Sequence, residues 1–391
     1  STCPVLLCSA TPSLESWYNA LSRPDWALHH LPTRAPGLTL PRTRVVDLKA
    51  ERRADEGRRA AMGPTLRAAL NRTLDNGHQA LLLLNRRGWA TYITCSSQRC
   101  GWTLECVHCD VTMVYHRSGN LPSNGFVRCH HCHREVRLPR ACPDCGSPPA
   151  RLGQGTQRIE EEVLNLRPEL TQDDTLQRMD SDSMNRQEDY ELVLGQFGAG
   201  EVDILVGTQM IAKGLDFPGV TLVGIVSADS SLHLTDFRAS ERTFQLLCQV
   251  AGRAGRGELP GRIPVHTHAP EHPAIVHAAT HDYRAFVDYE LPLRDELDYP
   301  PYGRIILVVL EDEDEALVEK TANHLGEVLE HHLADDEVQI LGPAPAPIAL
   351  LRNRHRRNFL IKTGPSSELL DKTRNLLQSF VERHHRPRIT V

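Results

Sequence analysis

No stretch of this 391-residue chain approaches the roughly 18 consecutive apolar residues that a membrane-spanning helix needs; runs such as Ile305–Leu310 fall far short. The opening segment, Ser1–Ala10, lacks the basic n-region of a signal peptide and lacks an initiator Met. The segment opens with a strand-like run, Val5–Cys8, and the expectation is a cytoplasmic protein with no membrane partner, and a chain cut from something longer. A surplus of positive charge is also missing. Lys and Arg number 44 against 50 Asp and Glu, for a net charge of −6. Any contact with nucleic acid therefore has to rest on a local basic patch. What is present excludes global disorder: 40% of the residues are hydrophobic, enough for real cores, and the length suits two or three domains.

Cysteine is distributed unevenly. Of 11 cysteines, eight fall between Cys95 and Cys145, as the pairs Cys95/Cys100, Cys106/Cys109, Cys129/Cys132 and Cys142/Cys145. With no export signal, such clustering fits thiolate ligation of metal in a reducing compartment better than disulfides. Three pairs are C-x2-C and one is C-x4-C; a two-residue gap lets both thiolates of a knuckle face one ion. Gly101 and Gly146 each follow the second cysteine of a pair, where the backbone must turn tightly. Four pairs make two closed four-thiolate sites, the signature of structural zinc. The spacing leaves open whether the knuckles pair sequentially or in a nested way. His108, His130, His131 and His133 flank ligands and read as solvated or supporting groups.

The flanks are of a different kind. Ala80–Leu84 reads as a buried strand. Gly153–Thr156 leads into an amphipathic helix that runs to about Leu166. Thr175–Arg178, Val202–Val206 and Thr221–Ser227 read as further strands, with helices at Arg186–Phe197 and Ser240–Ala251. Alternating strands and helices predict a parallel sheet covered on both faces, with the cysteine region inserted after its first strand. Two loops stand out as strand-end, ligand-binding loops: Gly207–Pro218, and Gln249–Arg256 with arginines at 253 and 256 whose planar forks suit phosphate oxygens.

These two segments resemble motifs V and VI of superfamily 2 helicases, the second as Q-x-x-G-R-x-x-R. Ser9-Ala10-Thr11-Pro12 resembles motif III and Leu81–Gly88 resembles motif IV. A helicase lobe interrupted by eight paired cysteines resembles the PriA family of primosomal replication-restart DNA helicases. GTQMIAKGLDFPGV and QVAGRAGRG match that family closely, and the resemblance spans essentially all 391 residues. It implies the nested pairing: Cys95, Cys100, Cys142 and Cys145 on one zinc, and Cys106, Cys109, Cys129 and Cys132 on the other. It also implies an ATP-driven 3′-to-5′ DNA helicase that recognises stalled forks, displaces single-strand-binding protein and helps primosome and helicase-loading proteins reload the replicative helicase. Arg253 and Arg256 would be arginine fingers, with Gln249 at the same interface. Gly214 and Asp216 would couple nucleotide to lobe closure. Thr208 and Gln209 would touch the DNA backbone, and Ser9 and Thr11 would link hydrolysis to DNA movement. The sequence departs from the family in one respect that bears on activity. It has no G-x-x-x-x-G-K-[ST] phosphate loop and no acidic D-E-x-H box ahead of Ser9, so ATP and Mg2+ would be held mainly by a first lobe beyond these residues. The C-x4-C spacing also departs from the usual C-x2-C.

Towards the C-terminus, Leu291–Tyr302 is rich in proline and tyrosine and reads as a linker. The order that follows, β-α-β-β-α-β from Ile305 to Val391, predicts a ferredoxin-like α/β domain. Arg352, Arg354, Arg356 and Arg357 lie between two of its strands, and such crowded guanidinium groups need solvent or phosphates; the reading is contact with the DNA backbone. Glu311–Glu315 reads as a solvated helix start, and Arg42–Arg59 as an inter-lobe linker running into a helix near Pro64–Asp75. The expected architecture is an α/β, RecA-like helicase lobe with a zinc insertion and a C-terminal ferredoxin-like domain. The divisions are 1–40 (end of lobe 1), 41–94 (linker and start of lobe 2), 95–146 (zinc insertion), 147–268 (rest of lobe 2), 269–302 (helical linker) and 303–391 (DNA and partner binding). The runner-up function is a motor-dead module that binds forks and assembles primosomes without ATPase activity. A zinc-ribbon transcription or RNA factor would leave the two helicase-like loops unexplained.

Overall fold

The structure is a computed structural model that describes residues 3–31, 41–55, 60–85, 92–97, 100–116, 126–129, 131–152, 155–180, 187–212, 217–232, 236–254, 261–334 and 337–391. In chain order come helix α1 (Leu14–Ser22), strand β1 (Arg42–Asp47), helices α2 (Leu48–Ala54) and α3 (Pro64–Asp75), and strand β2 (Gln79–Leu84). The cysteine region adds short strands β3 (Tyr92–Cys95), β4 (Glu105–Cys106), β5 (Cys109–Thr112), β6 (Val114–His116), β7 (Phe126–Arg128), β8 (Glu135–Arg137) and β9 (Pro149–Leu152). Then follow α4 (Thr156–Leu166), β10 (Leu176–Met179), α5 (Gln187–Ala199), β11 (Ile204–Gly207), β12 (Val220–Val226), α6 (Ala239–Ala251), β13 (Arg262–Thr267), α7 (Pro273–Ala279) and α8 (Tyr283–Glu296). The last stretch is β14 (Arg304–Asp312), α9 (Glu315–Leu333), β15 (Val338–Leu351), β16 (Arg354–Thr363), α10 (Ser367–Arg383) and β17 (Arg388–Thr390). Two compact units result: Ser1–Trp89 with Gln154–Leu291, and Ala90–Gly153 with Pro292–Val391.

The first unit is built on a parallel sheet of order β1-β13-β12-β2-β11-β10. Every position of β2 and β11 is buried, because a parallel sheet carries helices on both faces and its central strands meet no water. The two-residue period divides the apolar run between the faces. Leu81 and Leu83 join one core with Val193 and Phe197 of α5 and Phe244 of α6. Ala80, Leu82 and Leu84 join the other with Leu66 and Leu70 of α3 and Ile159 and Val163 of α4. Truncating Leu82, fully buried, to Ala would cost on the order of 2–5 kcal/mol. Helix α3 starts where the sequence says it should. Gly63 is its N-cap and Pro64 its first residue, a position where the missing N–H costs nothing.

Two expectations for this unit change. Val5–Cys8 forms no strand; Val5, Leu6 and Leu7 are 79%, 82% and 67% exposed, since an apolar run becomes a strand only beside a partner that takes its hydrogen bonds. Arg42–Arg59 is no linker over its described part: Arg42–Asp47 pairs with β13 as the edge of the sheet, and Asp47 caps α2 by accepting from Lys49 N. Leu291–Glu296, inside the stretch read as a helical linker, completes α8 with Pro292 within the helix; the buried Arg294 ties the helix end to Pro300 O at 3.2 Å.

The second unit joins two segments separated in the sequence by residues 154–291, the cysteine region and the C-terminal part. The C-terminal part follows the expected β-α-β-β-α-β order, as an antiparallel sheet of order β15-β16-β14-β17 with α9 and α10 packed on it through Leu325, Leu329, Leu377 and Phe380. The edge strand β15 carries Pro343, Pro345 and Pro347, which lack the N–H groups that would invite another strand. The expected arginine loop is a hairpin: β15 and β16 run to Leu351 and Arg354, joined by Arg352 and Asn353 with φ of 53° and 61°, the left-handed pair of a type I′ turn. Glu311–Glu315 is only partly a helix start. Asp314 does cap α9, but Glu311 and Asp312 belong to β14, and Asp312 is buried against Arg386 (Nε to Oδ2 3.0 Å). The guanidinium holds the Asp312 carboxyl down at about 2.

A buried polar pair in the first unit gives a pH prediction. His266 of β13 is fully buried, with Nε2 3.7 Å from Glu51 Oε2 and neither ring nitrogen hydrogen-bonded. Burial outweighs the attraction of Glu51 and lowers the His266 pKa to about 4. A folded-state value below the unfolded value of about 6.5 means that acid favours the unfolded chain. Stability should therefore fall as pH drops from about 6.5 to about 4, by roughly 3 kcal/mol from this group alone. Urea unfolding of His266→Leu across that window should give a flatter profile than the parent chain; an identical profile would assign the acid sensitivity elsewhere.

Candidate metal centre and motor loops

Two groups of four cysteines are brought together: Cys95, Cys100, Cys142 and Cys145, and Cys106, Cys109, Cys129 and Cys132, with all sulfurs of a group within 4.8 Å of one another. The arrangement is nested, so the choice that spacing left open is decided by the fold. Strand β3 brings Cys95 beside Pro149 of β9, and β4 pairs Cys106 with Cys109. Sulfur separations of 3.3 Å (Cys95–Cys145), 3.6 Å (Cys100–Cys142) and 3.6 Å (Cys106–Cys132) are far too long for disulfides, which need about 2.05 Å. They are close to the roughly 3.8 Å between corners of a tetrahedron with metal–sulfur bonds of about 2.3 Å.

The knuckle turns explain their residues. Gly146 N donates to Cys142 O at 2.9 Å and has φ +74°; Gly101 has φ +72°. His133 takes the same left-handed place after Cys132, with φ 62° and its N–H on Cys129 O at 2.8 Å. The longer Cys95/Cys100 pair closes differently, with Cys100 N donating to Ser97 O at 3.1 Å. Burial, opposed by the Arg352 N–H and reinforced by the Cys132 and Cys129 thiols, pushes the Cys109 thiol up to about 12. Burial raises the Cys106 thiol as well, whereas hydrogen bonds from Ser147 lower Cys145 of the other group to about 6; a divalent cation amid four sulfurs would make thiolates the favoured form throughout. The donor set therefore fits a thiophilic ion in both groups, with no fifth position for a substrate.

One contact to the inner group, the one holding Cys109, has no counterpart in the sequence reading. The β15–β16 hairpin tip docks on it. Arg352 N–H donates to Cys109 Sγ at 3.2 Å, Arg352 Nε to His131 O at 2.7 Å, and Asn353 N to His108 O at 2.8 Å. Leu351 packs on the core formed by Ile93, Met113 and Val127. The partners of the N–H···S bond lie 243 residues apart, so no local pattern announces them. A single cue was available: the short turn between two strands forces both its residues to positive φ. Of the hairpin arginines, Arg356 faces Glu311 at 3.6 Å and Arg357 faces Glu319 at 3.4 Å. Arg352 and Arg354 have no carboxylate partner among the described residues.

The motor-like loops lie in the first unit. Gly207 ends β11, and a Cβ there would sit 2.5 Å from Met179 O and 2.7 Å from Ile211 Cγ2, so only glycine fits. Thr208 and Gln209 follow at the carboxyl end of the strand, half-buried, and the turn Gln209–Ala212 packs on α6. Gly214 and Asp216 lie outside the described residues, as does Arg256. The second loop is not a strand-end loop of the same sense. It leaves α6, with Gln249 exposed and Arg253 half-buried, and enters β13 at its amino end. Ile211, Val250, Ala251 and Ala254 share one core cluster, which is how the fold ties the two loops together. The Ser9–Pro12 segment is also attached to α6. Gln245 Nε2 donates to Thr11 O at 3.3 Å, Leu14 N to Glu241 Oε1 at 3.1 Å, and Arg238 Nη2 to Glu15 Oε1 at 2.8 Å. Ser9 is exposed and its Oγ accepts from Thr11 N at 3.1 Å.

If the inner metal shapes the surface that the hairpin grips, chelation should free the tip. Elemental analysis should find about two zincs per chain. Hydrogen exchange should show the Arg352 and Asn353 amides protected in the metal-loaded chain and fast after chelator treatment. Protection that survives complete metal loss would separate docking from metal.

Family models match two parts of the chain: the helicase conserved C-terminal domain over residues 154–258, and the primosomal protein N C-terminal domain over residues 295–391. The chain is 40% identical over 388 residues to the replication restart protein PriA of Bacillus subtilis (strain 168), covering 98% of this chain and 46% of the relative. Against the PriA of a Synechocystis species it is 42% identical over 366 residues, covering 92% and 43%. Against that of Treponema pallidum (strain Nichols) it is 36% identical over 383 residues, covering 97% and 55%. The chain spans about half the length of the curated relatives it matches.

Proposed function

The chain belongs to the family of the replication restart protein PriA, and from that premise we propose that it supplies the second motor lobe, the zinc region and the C-terminal domain of an ATP-driven 3′-to-5′ DNA helicase that acts at stalled forks to start primosome assembly. The observation that carries the motor reading is the attachment of three motif segments to one helix. Thr11 is held by Gln245 on α6, the turn that begins at Gln209 packs on α6, and Arg253 leaves its end. A shift of α6 would be felt at all three.

In this reading Arg253 and Arg256 stabilise charge on the γ-phosphoryl group, with Gln249 beside them. Gly214 and Asp216 link nucleotide to lobe closure, Thr208 and Gln209 touch the DNA backbone, and Ser9 and Thr11 transmit hydrolysis to DNA movement. ATP and Mg2+ are substrate and counter-ion held mainly by a partner lobe, since the 391 residues contain no phosphate loop. Both metals are structural zinc, each worth on the order of 10 kcal/mol of folding free energy. The antiparallel order β15-β16-β14-β17 supports reading the C-terminal part as a ferredoxin-like unit. Its hairpin carries the DNA-backbone role chiefly on Arg352 and Arg354, since Arg356 and Arg357 already face acids. Forked and single-stranded DNA, single-strand-binding protein and the helicase-loading proteins are the partners of this reading, in the cytoplasm; among the described residues no helix is long and apolar enough to cross a membrane.

The test is enzymatic. The 391-residue chain alone should show no DNA-stimulated ATP hydrolysis. In the full-length parent protein, Arg253→Ala should lower DNA-stimulated turnover about 10³-fold or more while leaving DNA affinity near the parent value. A parent protein without DNA-stimulated turnover would favour a motor-dead assembly module, and a full rate in the Arg253 variant would remove the arginine-finger assignment.

A further inference from the structure

Between the inner cysteine group and the hairpin tip lies an open cavity of about 560 Å³, flanked by Arg134 and Arg352 with His108, His131, His133 and Asn353. No acidic, aliphatic or aromatic hydrocarbon side chain is among its described lining residues. We propose that this cavity is a phosphate-binding site that holds the sugar-phosphate backbone of a single DNA strand between the metal region and the C-terminal hairpin. The inference rests on the nucleic-acid reading above and assigns it a place.

The hydrogen-bond chain around the cavity leaves donors facing outward. Arg134 Nη1 lies 2.5 Å from His108 Nε2; a guanidinium only donates, so Nε2 accepts. The His108 proton is then on Nδ1, 2.5 Å from Asn353 Oδ1, which accepts it. That consumes the amide oxygen of Asn353 and leaves its NH2 as a free donor. Arg352 spends its backbone N–H on Cys109 Sγ and its Nε on His131 O, which anchor the side chain while its two Nη groups keep their donors. Neither Arg134 nor Arg352 faces a carboxylate among the described residues. Two unneutralised guanidinium groups and an amide NH2 in one cavity are a site for an anion with several oxygens. None of the described lining residues is aliphatic, so the cavity offers no aliphatic pocket of the kind that would hold a peptide's apolar side chains. The open form of the cavity suits a strand passing through rather than an enclosed mononucleotide.

The experiment measures binding of a fluorescein-labelled single-stranded oligonucleotide to the full chain by anisotropy, across a range of salt concentrations. Three proteins are compared: the parent chain, R134Q/R352Q, and R128Q/R167Q. The last pair removes the same charge from arginines that already face Glu135, Asp75 and Glu169. Each phosphate contact contributes about 0.7 to the slope of log affinity against log salt for single strands. R134Q/R352Q should lower that slope by about 1.4 and weaken binding about tenfold or more at low salt, with the zinc content still about two per chain. R128Q/R167Q should keep a slope near that of the parent. A parent slope in R134Q/R352Q, or an equal loss in both variants, would overturn the site while leaving the family's DNA role intact. A parent chain that does not bind the oligonucleotide at all would overturn the DNA reading itself. Displacement of the oligonucleotide by a poly-glutamate peptide at matched charge would reassign the cavity to an acidic protein.

Discussion

The second unit depends on a bond between a backbone amide and a cysteine sulfur, Arg352 N–H to Cys109 Sγ. The cysteine region has few residues in strands long enough to hold each other, and its core cluster is small, built on Ile93, Met113, Tyr115 and Val127 with three of the cysteines themselves. Such a module needs cross-links, and each group of four clustered cysteines could supply them by holding an ion. Once the sulfurs are clustered they also become acceptors for a neighbouring amide, and the hairpin tip presents one. The turn that does so must place both its residues at positive φ, an uncommon conformation for Arg352. Contacts to Cys109, His108 and His131 hold it there.

The same arrangement changes the meaning of the insertion. In sequence the cysteines interrupt a parallel α/β domain between β2 and α4. In space they group with β15, whose hairpin tip meets Cys109 across 243 residues of sequence, rather than with the sheet they interrupt. The parallel sheet closes without them, because β2 pairs with β11 and β12, and each of these comes after the insertion. An insertion at a strand end costs the sheet little, since loop-closure entropy grows only slowly with length. The cysteine region is then free to group with the C-terminal part.

In the first unit the comparable constraint is α6. It carries Phe244 into the core, stacked at 4.4 Å on Phe286, and binds the Ser9–Pro12 segment along its exposed flank. Glu241, almost fully buried, accepts Leu14 N at the start of α1, which satisfies a helix-end amide and joins two segments more than 220 residues apart in sequence. Thr11, Gln209 and Arg253, in segments that resemble helicase motifs, are therefore each tied to one helix.

Much of this was legible in the residue order. The strands read at Ala80–Leu84 and Val202–Val206, which form as Gln79–Leu84 and Ile204–Gly207, the helix at Pro64–Asp75, the cysteine pairs and the glycines of the knuckles each obey a short-range rule: apolar run, cap and proline, thiolate spacing, or positive φ. What the order could not decide was every relation that depends on a distant partner. Val5–Cys8 has a strand's composition but no neighbour to hydrogen-bond, while Arg42–Asp47 looks like a linker and becomes a sheet edge because β13 lies beside it. Spacing left the knuckle pairing open because both pairings satisfy the ion equally; the strands that bring Cys95 to Pro149 chose it. The arginines at 352–357 read alike in sequence, and only the fold separates those facing Glu311 and Glu319 from those facing solvent and the cavity. Local chemistry follows from neighbours along the chain, whereas charge neutralisation, burial and ligation are decided by neighbours in space.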